Sequence, residues 1–205
     1  MELFEAIRTR RSIRGYKTDP LSDNEVKMVL EAAHWAPSAA NLQPWEFIVI
    51  KNLVTREKIQ ELVEENRIVT IKTGEDQWKT RFSKYNTGWI STAPVHIVVC
   101  ADPARTAPHA SGKETYKYAT GAAIQNLMLA AHALGLGTCW LSMFNKRKLK
   151  KLLKIPKNID VIAVITMGRP IEVPEIPDTV KRHGGTPRKS LAEMVYYEKY
   201  GMHES

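Results

Sequence analysis

The stretch ETYKYATGAAIQNLMLAAHALGLG, residues 114–137, constrains this chain most. It reads as one long helix that is apolar around most of its circumference, with Gly135 at its C-terminal cap. A helix of that kind must be buried. Short apolar runs stand on both sides of it: PVHIVVCA (94–101) before and TCWLSM (138–143) after. VIAVITMG (161–168) and EFIVIK (46–51) read as further strands. Helices alternating with three or four apolar strands give a layered fold, with helices around a central sheet.

The other helices carry their own signals. In LSDNEVKMVLEAAHWA, Ser22 caps, Glu25 closes a capping box, and Val26, Val29, Leu30 and Ala33 repeat at helical spacing until Pro37 ends the run. Residues 2–10 read as a short helix with Leu3, Phe4 and Ile7 on one face. Residues 55–67 read as another, with Ile59, Leu62 and Val63 inward, and SLAEMVYYEK near the end as the last. Residues 145–154 form a basic amphipathic helix, with Leu149, Leu152 and Leu153 inward and six basic residues outward. Two stretches lack such periodicity. Residues 68–92 hold Trp78, Phe82, Tyr85 and Trp89, whose rings suit either the wall of a pocket for flat molecules or a subunit interface. Arg169 to Pro187 has four prolines and two adjacent glycines, an extended arm that makes most sense packed on a partner subunit. No repeat, low-complexity tract or linker divides the 205 residues, so a single domain over 1–205 is expected.

Composition narrows the function. Hydrophobic residues make up 43% and charged residues 25%, as in soluble globular proteins. The two cysteines, Cys100 and Cys139, sit apart in apolar runs. They suggest neither a metal site nor a disulfide framework, and fit a reducing cytoplasm. MELFEAIRTRR lacks the pattern of a signal peptide, and no apolar run approaches the ~18 residues of a membrane span. The net charge of +8 favours anionic partners such as phosphates, nucleic acid or a phosphorylated cofactor. No G-x-G-x-x-G follows a strand and no Walker A sequence is present; GLGTCW follows a helix and precedes a strand, the wrong order for both. The basic helix reads as a solvated face more readily than as a nucleic-acid site.

RTRRSIRGY places Arg10, Arg11, Ser12 and Arg14 within five residues. Guanidinium forks pair with phosphate oxygens two at a time, and a serine hydroxyl completes such a cradle. The plain alternative is a solvated helix end whose cations favour the dipole.

RRSIRGY, followed by APSAANLQPWEFIVI, GAAIQNLMLAAHALGLGTCWL, VITMGRP and TPRKSLAEMV, resembles in order the sequence blocks of the FMN-dependent nitroreductase family, from about residue 2 to residue 196. The resemblance implies an α+β fold: a central mixed, mainly antiparallel sheet flanked by helices, with a C-terminal arm reaching the partner subunit of a homodimer. It implies FMN in a cleft at the dimer interface and a ping-pong cycle. NAD(P)H, the transient donor, gives a hydride to flavin N5, and a small flat acceptor such as a nitroaromatic or quinone then takes it. Arg10, Arg11 and Ser12 match the positions that hold the FMN phosphate and ribityl, and Arg14 a basic position at the pyrimidine edge. Pro37, Ser38, Ala39 and Asn41 match the flavin-edge segment of the opposite subunit, Trp140, Leu141 and Ser142 the strand end near N5, and Arg188 and Lys189 the C-terminal basic pair near the phosphate. Arg169 is open between a third phosphate ligand and a surface residue. Residues 68–92 occupy the place of a variable lid. Because the flavin performs the chemistry, no protein nucleophile or general base is expected, and no metal. His34, His96 and His132 read as packed or surface side chains. Reductive dehalogenation, flavin fragmentation or dehydrogenation remain alternatives on the same fold, and a basic nucleic-acid-binding module a minor one.

Overall fold

A computed structural model describes residues 1–107, 109, 112–173 and 188–202. The chain forms two compact units, Met1–Pro174 and Glu175–Ser205. In the first, the elements run α1 (Leu3–Thr9), α2 (Asp23–His34), β1 (Trp45–Ile50), α3 (Leu53–Thr73), α4 (Asp76–Ser83), β2 (Val95–Ala101), α5 (Thr115–Ala133), β3 (Gly137–Leu141), α6 (Lys146–Leu153) and β4 (Asp160–Gly168). The strands form one sheet in the order β1-β2-β4-β3. Every pairing between them is antiparallel, and the parallel component is one isolated bridge, Ser12 to Thr138. The fold is therefore α+β, as expected.

The sheet has a core on each face. On one side Val95, Ile97 and Val99 of β2 meet Ile124, Leu127 and Met128 of α5 and Val29 and Ala33 of α2. On the other, Val98 and Cys100 of β2 meet Ile59 and Val63 of α3 and Leu149 of α6. α5 is thus buried as its composition requires. α2 starts as its sequence indicates, with Ser22 and Glu25 forming both halves of the capping box. Glu25 also accepts from Arg169 Nη2 at 2.6 Å, and Arg169 Nη1 donates to Pro20 O. Arg169 is thereby a structural cation that ties the exit of β4 to the start of α2. Lys146 and Lys148 of α6 pair with Asp160 and Glu65, so part of the basic helix neutralises the protein's own carboxylates.

Two expectations change. Leu3, Phe4 and Ile7 of α1 are exposed, and Ala6 is the buried residue, because α1 lies on α5 by its opposite face. In the second unit SLAEMVYYEK makes a single turn from Ser190, whose N and Oγ donate to Glu193, and does not continue as a helix. Leu191 and Met194 remain exposed, and a short helix without a buried face is not stable. Residues 174–187, most of the expected arm, lie outside the described residues.

A polar row crosses the second face of the sheet: His96 opposite Thr166, and Thr166 opposite Cys139. His96 is fully buried and donates from Nε2 to Ile90 O at 2.8 Å. Its Nδ1 has no partner among the described residues. Burial above all pushes its pKa down, from 6.5 to about 4. The unfolded chain takes up that proton near pH 6.5, so it binds more protons than the folded chain between those values. Stability is therefore expected to fall as the pH drops through this window, by about 3 kcal/mol in all. Urea midpoints from pH 7 to 4.5 should show the slope, and His96→Gln should flatten it.

Candidate functional site

The segment after α1 is extended and lies across the end of the sheet. Ile13 N donates to Thr138 O at 2.9 Å, Lys17 N to Arg169 O at 2.9 Å, and Ile171 N to Gly15 O at 3.1 Å. Residues 10–17 thus form an arm that pairs first with β3 and then with the exit of β4. Tyr16 fixes its shape. Its hydroxyl donates to Ile13 O at 2.8 Å and pairs with Thr166 Oγ1 at 2.8 Å. Burial pushes the phenol's pKa far up, so it stays protonated. Ile13 lies flat on Gly137, where a Cβ would stand 2.6 Å from Ile13 Cγ1. Only glycine permits that approach.

The arm gathers the expected cations. Arg10, Arg11 and Ser12 are half-buried and Arg14 is exposed. Arg11 turns Nη1 back to the carbonyls of Arg8 and Arg10, at 2.7 and 2.8 Å, and so closes the C-terminus of α1. Burial raises the pKa of the Cys139 thiol, while Arg14, the Ser12 hydroxyl and Arg10 act in the opposite sense. These groups therefore converge beside β3. Among the described residues the ion pairs include neither Arg11 nor Arg14. Thr138 Oγ1, one position before Cys139 on β3, is buried with no partner among the described residues. Cationic forks and a serine form a donor set that suits a phosphate monoester.

β3 ends at the site. Cys139 and Leu141 are buried, whereas Trp140 is 38% exposed and Ser142 is exposed. Residues 68–92 supply a ladder of rings. Trp78 stacks on Phe82, Phe82 meets Tyr85 edge-on, Tyr85 meets Trp89, and Trp89 meets Tyr16 of the arm, with centroids 6.0 to 6.5 Å apart. Arg14 acts on the Tyr85 hydroxyl, whose pKa burial raises. Arg67 braces the ladder by binding Glu64 and Phe82 O, and Thr87 donates to Glu64. Spacing alone revealed the aromatics but not their order, and gave no sign of Arg67, Glu64 or Tyr16 as supports.

Among the described residues, the segment 36–47 holds three of the five non-glycine residues with positive φ. Ala40, Asn41 and Gln43 all have positive φ, 49°, 54° and 46°. Side chains with a Cβ adopt that region at a cost of about 1 kcal/mol or more each. Gln43 N donates to Ser38 Oγ at 3.0 Å, and Arg105 Nη1 to Gln43 O at 3.1 Å, which hold the turn. Pro37, Ala40 and Asn41 are exposed, Ser38 and Ala39 half-buried. Arg188 and Lys189 are exposed in the second unit.

The structure is an α+β sheet with helices on both faces and a basic arm along its edge, beside β3. The particular family follows from comparison: the model of the Nitroreductase family matches residues 7–169, and the chain belongs to that family. A protein from Archaeoglobus fulgidus that carries the name NADH dehydrogenase/NAD(P)H nitroreductase is 33% identical, over 82% of this chain and 86% of its own. The crystal structure of a nitroreductase family protein from Clostridium novyi NT superposes with a TM-score of 0.69 at 28% identity, over 99% of this chain and 97% of that one. An oxidised iodotyrosine deiodinase bound to FMN and 3-iodo-L-tyrosine shares the fold, with a TM-score of 0.79 at 19% identity over 97% of this chain and 100% of that one.

Gly137→Ala is expected to push Ile13 off β3 and lower stability by about 1–3 kcal/mol. Gly121→Ala on α5, where nothing lies within 4 Å of a new Cβ, is the control and should be neutral or slightly stabilising. Urea unfolding of both variants, with hydrogen exchange at the Ile13 amide, distinguishes the two outcomes.

Proposed function

We propose that this protein is an FMN-dependent oxidoreductase that passes a hydride from NAD(P)H to a small flat electrophile such as a nitroaromatic or quinone, in a ping-pong cycle. The observation that carries the reading is the arm over residues 10–17, pinned along the end of the sheet with Arg10, Ser12 and Arg14 converging beside Cys139 of β3. Membership of the nitroreductase family and the FMN named with the deiodinase support it.

When bound, FMN supplies the hydride acceptor and donor, N5. The chain's own residues bind and orient it. Arg10 and Ser12 take the phosphate and ribityl, with Arg11 contributing the N–H groups not spent on the end of α1. Arg14 faces the pyrimidine edge, where a cation favours the reduced form. Trp140, Leu141 and Ser142 bring strand-end backbone towards N5. The resemblance to the family assigns Arg188 and Lys189 to the same phosphate. In this reading 1–205 work as one FMN-binding domain with 68–92 as its lid.

The loop carrying Pro37, Ser38, Ala39 and Asn41 serves the flavin held by a second copy. Its strained backbone supports that reading. The exposed Leu3, Phe4 and Ile7 of α1 give a homodimer an apolar face to bury. A cytoplasmic location belongs to the same reading, and no helix among the described residues is long and apolar enough to cross a membrane. Another flavin reaction on this fold, such as reductive dehalogenation, is the second reading, favoured by the ring ladder of the lid and the deiodinase likeness.

Purified protein reconstituted with FMN should be yellow and bleach anaerobically with NADH or NADPH. Arg14→Ala should lower kcat/KM for a quinone by about 10- to 100-fold. Protein that stays colourless in excess FMN contradicts the proposal. A panel of nitro, quinone and halophenol acceptors separates the two readings by which class turns over fastest.

A further inference from the structure

His132 lies in the last turn of α5, on the side packed against α1. Its Nε2 is 2.8 Å from Thr9 Oγ1, the hydroxyl of the residue before Arg10. Thr9 Oγ1 already donates to Glu5 O at 2.7 Å. It must therefore accept from the imidazole, which fixes the proton on Nε2 and leaves Nδ1 as the atom that titrates. The charged groups facing the ring are Glu5 of α1 and Arg10 and Arg11 of the arm. The same ring thus stands at the negative end of a helix dipole and at the root of the anion-binding arm.

We infer that His132 is a further member of the phosphate-binding site, held in place by Thr9, and that it adds a third positive charge beside Arg10 and Arg11 when a phosphate monoester is bound. The inference rests on the phosphate reading of residues 10–12 and extends it to a residue outside the arm. Burial first, then Arg10 and Arg11, hold the imidazole below the ordinary histidine value, while Glu5 opposes them. A dianion on the arm cancels the repulsion from the two guanidinium groups, and the proton then goes onto Nδ1. The imidazolium also offsets the partial negative charge of the carbonyls that end α5, which otherwise disfavours an anion there. Coupling of this kind is reciprocal. If phosphate raises the pKa of His132 by about one unit, the protonated protein binds phosphate about tenfold more tightly than the neutral one.

The test follows the His132 ring by NMR in the wild-type protein, with the resonance assigned through His132→Gln. Saturation with FMN, or with inorganic phosphate alone, should move the ring's titration midpoint upward, and riboflavin, which lacks the phosphate, should leave it in place. In parallel, FMN affinity is measured by fluorescence quenching for wild type and His132→Gln, which keeps a donor for Thr9. The variant should bind about 3- to 10-fold more weakly near pH 6 and equally at pH 8. The phosphate's own second ionisation, near pH 6, weakens binding in both proteins and cancels in their ratio. A midpoint indifferent to phosphate, a midpoint that riboflavin moves as far as FMN does, or a ratio independent of pH overturns the inference. Failure of FMN to bind at any pH defeats the flavin assignment instead, and the inorganic phosphate titration still decides the role of His132.

Discussion

The site depends on one contact, the seating of Ile13 against Gly137. The arm has no helix or strand of its own to hold it. It stays in place because β3 starts with a residue that has no side chain, so Ile13 can lie on its backbone and Ser12 can pair with Thr138. Tyr16 then anchors the far end by satisfying Ile13 O and Thr166 together. Each is a modest interaction, a hydrogen bond contributing about 1 kcal/mol net. Together they give a flexible, strongly charged segment one conformation, so cations that repel one another remain side by side. That arrangement is what an anion needs and what the folded chain alone would not favour.

The same economy governs the other polar parts of the molecule. The row His96–Thr166–Cys139 is held at His96 by Ile90 O and at its middle, Thr166, by the Tyr16 hydroxyl. Burial keeps both cysteine thiols protonated, the Cys100 thiol pushed up to about 11, so neither suits nucleophilic chemistry. The aromatic ladder over residues 78–89 is fastened separately, by Arg67 and Glu64. Its last ring, Trp89, packs on Tyr16, which couples the aromatic ladder to the basic arm.

Much of this was legible in the sequence, because the strongest signals are local. The capping box of Ser22 and Glu25, the apolar strands and the α5 run all depend on residues a few positions apart, and they formed where expected. The basic arm was legible as chemistry but not as geometry. Nothing local says that Ile13 will meet Gly137, that Arg11 will close α1, or that Arg169 will bind Glu25, since each joins positions whose proximity the fold decides. The outward turn of Leu3, Phe4 and Ile7 was hidden for a related reason. Periodicity marks an apolar face without saying whether the partner is the same chain. The left-handed turn at Ala40 and Asn41 carries no glycine, so composition gave no warning of its strain.

The central claim is that the arm over residues 10–17 is a preformed phosphate site on the edge of β3. A crystal structure of the protein with FMN tests it most directly. The account predicts the phosphate against Arg10 and Ser12, with the Ile13–Thr138 hydrogen bond intact and the Tyr16 hydroxyl still on Ile13 O. A flavin phosphate bound elsewhere, or an arm that leaves β3 to reach it, would contradict the account.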